Sequence, residues 1–188
     1  MDVESNPGPA QSDNINYRST NNTNTAKISS NQGNIKIAHL NIRSLKNKEH
    51  YLLAQDLVLK QKFDIFTISE TWLDTSVTDT EIEFPGYGLF RLDRNGKRGG
   101  SVSAYVNQSF KCEPMKDRSA LHFGSGLHQL WLRIQVMNFR SFFICTAYRP
   151  PDTILFCFET DFSETLTSAL SFNKPIYILG DVNCNVLN

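Results

Sequence analysis

Pro175-Ile176-Tyr177-Ile178-Leu179-Gly180-Asp181-Val182-Asn183 is the stretch that decides how this chain folds. Four apolar residues, two of them Ile and one aromatic, run straight into Gly, Asp and Asn. A short continuous run of that composition reads as a strand buried on both faces. Gly180 predicts a sharp turn at the strand's carboxyl end, where Asp181 and Asn183 would project into a crevice. The ordinary alternative is an Asp turn bonded to its own backbone. Other strands in the chain end the same way, and that favours chemistry.

Working outward, Phe156 to Phe172 carries Phe158, Phe162, Leu166 and Leu170 at every fourth residue and predicts a helix. Before it lie two strand-like runs, Leu130–Val136 and Arg140–Tyr148, the second stopped by Pro150 and Pro151. Gly86–Arg91 and Ser101–Val106 read as a hairpin-like pair with a long basic tip. Further out, Ile35–Ile42 alternates as a strand, with Ile35 and Ile37 inward and Leu40 a third candidate. Glu49–Gln61 has helical spacing that would turn Leu53, Leu57 and either Ala54 or Val58 to the sheet. Asp64–Glu70 is the next strand, so strand, helix and strand form a right-handed unit with parallel strands. The whole predicts an α/β fold: a four-layer sandwich of two mixed sheets flanked by helices.

The 188 residues carry 19 basic and 19 acidic side chains, so any nucleic-acid site must be a local patch. Cys112, Cys145, Cys157 and Cys184 show no zinc-like spacing, which predicts reduced thiols. No apolar run is long enough to span a bilayer and no signal peptide is evident, so the expected setting is intracellular, without a membrane partner.

Residues 1–9 and 10–34 stand apart from the expected domain at 35–188. The linker is rich in Asn, Ser and Thr and poor in aliphatic residues, a composition that predicts disorder. Asp2-Val3-Glu4-Ser5-Asn6-Pro7-Gly8-Pro9 resembles the ribosome-skipping (2A-type) peptides of viral polyproteins and some retrotransposons.

The strand ends hold the chemistry. They are Asn41, Glu70, Tyr148 with Arg149, and Asp181 with Asn183. Each alone has an ordinary reading as a turn, cap or core residue. Gathered at one edge they would supply hard oxygen donors suited to Mg²⁺ (or Mn²⁺) beside phosphate-binding Tyr and Arg. The chemistry indicated is metal-assisted cleavage of a phosphate ester. Arg94, Lys97 and Arg98 on the basic tip, with Arg149, are the candidate DNA or phosphate contacts.

The segments H-L-N-I-R-S-L at His39, S-E-T-W-L at Ser69, F-P-G-Y at Phe84, R-G-G-S-V-S-A-Y-V at Arg98, Y-R-P-P at Tyr148 and L-G-D-V-N at Leu179 resemble the endonuclease/exonuclease/phosphatase family. More narrowly, they resemble the apurinic-type endonuclease domain of LINE-like, non-LTR retrotransposons. The resemblance implies that Asn41 and Glu70 hold Mg²⁺, Tyr148 contacts the phosphate, and Asp181 and Asn183 activate or orient water. It also implies DNA as partner, a downstream reverse transcriptase, and a nuclear location if the element is active. In that family an Asp and a His follow the G-D-x-N strand. All four histidines here precede Asp181, so the expectation is an N-terminal portion of the domain, inactive by itself. The rival readings are a phosphatase of the same fold and a non-catalytic nucleic-acid-binding remnant. A dehalogenase-like phosphatase is set aside, because Asn41-Ile42-Arg43 lacks the D-x-D that it requires.

Overall fold

The computed structural model describes residues 34–94, 99–121, 126–137, 140–151 and 153–184. The Asp2–Pro9 motif, linker residues 10–33, Lys97 and Arg98 lie outside the described residues. Strand β1 (Ile37–Asn41), helix α1 (Lys48–Gln61) and strand β2 (Ile65–Ser69) form the expected unit, with β1 and β2 parallel. Asn47 starts α1 because its side chain accepts the Glu49 N–H at 2.9 Å, satisfying one orphan donor of the first turn. Lys62 ends it with φ 53 and an N–H bonded to Val58 O.

The hairpin is β3 (Tyr87–Leu92) with β4 (Val102–Asn107), and β4 pairs antiparallel with β2. The first sheet therefore runs β1-β2-β4-β3. The second contains β5 (Lys111–Pro114), the short β6 (Ala120–Leu121), β7 (His128–Gln135), β8 (Phe142–Tyr148) and, after helix α2 (Leu155–Leu170), β9 (Ile176–Asp181). Its order is β5-β7-β8-β9, with β6 beside β7. β8 and β9 are parallel, so β1, β2, β8 and β9 can present their carboxyl ends together.

Side-chain alternation makes the layers. Ile65, Val102, Ala104 and Val106 of the first sheet meet Leu130, Leu132, Ile134, Phe142 and Ile144 of the second between the sheets. The opposite faces pack on the helices: Phe66, Ile68 and Tyr105 against Ala54 and Val58 of α1, and Trp131, Phe143 and Cys145 against Phe162, Leu166 and Ala169 of α2. This is the four-layer α/β sandwich that the pattern predicted. Burying both faces of each sheet supplies most of the apolar driving force for the fold.

Three local expectations are corrected. Leu53 and Leu57 do not face the sheet: they are 67% and 39% exposed, while Ala54 and Val58 are fully buried. The small pair lets the helix lie close to the sheet, and the leucines fall on the outer side. Next, β9 is not buried on both faces. Among the described residues its one neighbour is β8, and Tyr177 and Ile178 are 49% and 43% exposed. Finally, Gly180 makes no turn but continues the strand opposite Ala147. A Cβ there would stand 1.9 Å from the Ala147 carbonyl oxygen, so glycine is required by close approach of the two backbones.

Candidate active site

The four strand ends converge. Asn41 Nδ2 donates to Glu70 Oε1 at 2.9 Å and to Asp181 Oδ2 at 2.7 Å, which joins residues from both sheets. The Tyr148 hydroxyl lies near enough to feel the charges of both the Glu70 and Asp181 carboxylates. Burial first, then the nearby charges of Glu70 and Asp181, push the Tyr148 hydroxyl up to about 12, against an opposing pull from Arg94. It therefore stays protonated and able to donate at any physiological pH.

Backbone conformation at this edge is unusual. Arg43, Ser44, Glu70, Trp72, Ser101 and Asn183 all have positive φ without being glycine. Such residues concentrate where geometry is fixed for function, and they persist only when the surroundings over-determine them. Glu70, at φ 54, is held by the Ser44 N–H on its carbonyl at 2.7 Å. The Trp72 indole N–H reaches Glu70 Oε2 at 3.3 Å.

Asp181 is held differently. Its Oδ1 accepts the Asn183 N–H at 3.1 Å, and its carbonyl accepts the Arg149 N–H at 3.0 Å. The expected phosphate contact of Arg149 finds no support. Its side chain is only 5% exposed, and its guanidinium donates to the carbonyls of Val182 at 2.7 Å, Thr153 at 2.6 Å and Asn183. Arg149 clamps the turn after β9 from below. Asn183 joins the clamp, its Nδ2 donating to the Arg149 carbonyl at 2.7 Å. Arg94 is half-buried, its backbone N–H on Ser101 Oγ and its charge felt at Tyr148 and His128. Arg91, at the base of the expected basic tip, is buried and paired with Asp79 and Asp93, so it belongs to the core.

Two imidazoles behind this edge escaped the sequence reading. His39 has Nδ1 at 2.9 Å from Thr67 Oγ1 and Nε2 at 3.2 Å from Ser69 Oγ. Burial lowers it to about 4, partly opposed by the charge of Asp181. His128 is 1% exposed and lowered to about 3, again by burial first. Both rings are neutral at physiological pH. His39 and Trp72 sat within quoted motifs, but without an assigned role, and nothing in residue type or spacing marks His128.

Among the described residues no three of His, Cys, Asp and Glu gather in metal-holding geometry. Two carboxylates and an amide do meet, and they are oxygen donors of the kind a hard cation takes while it keeps several waters. The amide N–H of Asn41 already places a positive pole between the two carboxylates. The residues present fit Mg²⁺ or Mn²⁺ by donor chemistry.

Scans of the sequence against family profiles and against curated proteins find no match. Solved structures do match. The endonuclease domain of TRAS1, a telomere-specific non-LTR retrotransposon, is 13% identical with a TM-score of 0.56, over 78% of this chain and 58% of that one. An endonuclease/exonuclease/phosphatase protein from Bacteroides vulgatus is 10% identical with a TM-score of 0.60, over 81% and 66%. A mannosyl-6-phosphatase from Bacteroides thetaiotaomicron is 14% identical with a TM-score of 0.55, over 82% and 67%. The chain thus has the endonuclease/exonuclease/phosphatase fold and spans about two thirds or less of the length of these structures. Among its described residues no helix is long and apolar enough to cross a membrane.

Proposed function

We propose that this chain carries the metal-dependent phosphodiesterase site of a DNA-nicking endonuclease, of the kind found in non-LTR retrotransposons. One observation carries the reading: a single amide, Asn41, bonds carboxylates from two sheets, Glu70 and Asp181, beside a protonated Tyr148. Asn41 and Glu70 are the residues that would hold Mg²⁺ or Mn²⁺. The bound ion would draw charge from a phosphate oxygen and favour attack by water.

The chain's own groups divide the remaining work. Tyr148 donates its hydroxyl hydrogen to a phosphate oxygen, and its raised pKa keeps that hydrogen in place. Asp181 Oδ2 takes a proton from water, with the carboxylate aimed by Asn41 and the Asn183 N–H. Asn183 orients that turn through Arg149. Arg94, with Lys97 and Arg98, supplies the positive patch for the DNA backbone. A reverse transcriptase in the same element and a nuclear setting complete the proposal.

Burial keeps the two imidazoles near the site neutral, and Arg149 is committed to backbone carbonyls, so charge developing on the phosphate would fall to the bound ion and to Arg94.

The test is ligand binding. Mn²⁺ is titrated into the 188-residue chain while the emission of Trp72 is followed, with Trp72→Phe as control. We expect Glu70→Gln to weaken Mn²⁺ at least about tenfold, and short duplex DNA, but not mannose 6-phosphate, to tighten it. Mn²⁺ binding that ignores Glu70 would sink the metal assignment. Tightening by the sugar phosphate alone would move the site to the phosphatase class.

A further inference from the structure

We propose that His128, at the head of β7 in the second sheet, is a positioning residue that fixes Glu70 of the first sheet. The inference rests on the reading of Glu70 as a metal ligand. His128 pairs in register with Tyr148 on the strand beside it, and its ring stands edge-on to the Tyr148 ring with centroids 5.5 Å apart. Its Nδ1 accepts the Ser101 N–H at 2.8 Å across the gap between the sheets. An accepting nitrogen carries no proton, in keeping with the ring's deep burial.

The loop that His128 grips is built around it. Gly100 has φ 78, and a Cβ at that position would lie 2.3 Å from His128 Cε1, so the imidazole occupies the space a side chain would need. The same loop grips the segment after β2. Gly100 O accepts the Trp72 N–H at 3.1 Å, and Ser101 O accepts the Thr71 N–H at 3.4 Å. Those amides flank the two left-handed residues Glu70 and Trp72, and the Trp72 indole N–H returns to Glu70 Oε2. One path thus runs from the imidazole through Gly100 and Ser101 to Thr71 and Trp72, and so to Glu70. The imidazole also braces the Tyr148 ring edge-on, and the Tyr148 hydroxyl feels the charge of the same carboxylate. The hydrogen-bonded path from one buried ring thus ends on one carboxylate. A left-handed glutamate needs such support to keep its place.

A purely space-filling role predicts that Leu substitutes adequately. A positioning role requires an acceptor where Nδ1 stands, which Asn retains and Leu lacks. The experiment compares His128→Leu and His128→Asn in the full chain. It reads hydrogen exchange of the Thr71 and Trp72 amides, Mn²⁺ affinity by Trp72 emission, and the unfolding midpoint. The expected result is about tenfold faster exchange at both amides and about tenfold weaker Mn²⁺ in the Leu variant. Both are restored in the Asn variant, even though each variant loses some global stability.

Unchanged exchange at Thr71 and Trp72 in a folded Leu variant overturns the inference. So does a loss that merely follows the unfolding midpoint in both variants. If the Leu variant does not fold, Gly100→Ala, which displaces the ring from its seat, must speed the same two amides; slow exchange there overturns the inference equally. If Glu70→Gln leaves Mn²⁺ affinity unchanged, the proposed function fails while amide exchange still decides whether His128 positions this segment.

Discussion

β2 and β9 are both short apolar strands that run into a carboxylate, and they hold it by opposite means. β2 lies between β1 and β4 and is buried along its whole length, and the backbone around Glu70 is fixed by neighbouring loops. Among the described residues β9 has a single neighbour, exposes Tyr177 and Ile178, and depends on one buried arginine to shape the turn that carries Asp181. An interior strand can place a side chain through the ladder alone. An edge strand lacks half of those bonds and needs a side-chain clamp instead. The same motif type thus reaches the same site with very different structural support.

The contrast can be broken by mutation. Ile68→Ala in the buried strand should cost roughly 4 kcal/mol, whereas Ile178→Ala in the edge strand should cost under about 1 kcal/mol. Urea unfolding of the two variants checks this, and equal losses would mean that β9 is covered. Gly180→Ala comes next at about 3 kcal/mol, because its methyl must push β9 away from the Ala147 carbonyl. That loss should appear in the same unfolding experiment.

Arg149→Met should cost about 2 kcal/mol, since it strands the carbonyls of Val182 and Thr153. Its mark is local: Asn183 should become mobile in NMR relaxation while Glu70 stays rigid. The smallest effect sharpens the part played by the imidazoles behind the site. His39 and His128 have folded pKa values of about 4 and about 3, below the usual 6.5. On unfolding they regain ordinary basicity, so the unfolded state binds more protons in acid. Stability should be full above pH 6.5 and fall as pH drops through 4. Urea midpoints across that range should show the slope, and His128→Asn should reduce it.

Much of this was legible in the residues. The first parallel unit followed from alternation, then helical spacing, then an apolar run, each with its own period. The carboxyl ends at Asn41, Glu70, Tyr148 and Asp181 followed from where those runs stop. What escaped reading depends on neighbours rather than on local pattern. The run Ile176–Leu179 looks the same whether its strand has one partner or two, so the exposed edge of β9 was invisible. In α1, Leu53 and Leu57 share a helical stripe with as good a spacing as Ala54 and Val58, and only the closeness of the sheet selects the smaller pair. β5 and β6 are four and two residues long, too short for a period to register. Arg149 looked like a phosphate ligand because its actual partners are backbone carbonyls, which carry no residue-type signal.

The central claim is that strand ends from both sheets make one site with two separable jobs: Glu70 holds the metal and Asp181 serves the water. The most direct measurement is the Mn²⁺ affinity of the wild type, Glu70→Gln and Asp181→Asn, taken side by side by Trp72 emission. The account predicts a loss of at least about tenfold for Glu70→Gln, with Asp181→Asn close to wild type. Equal losses in the two variants, or no loss in either, would contradict it.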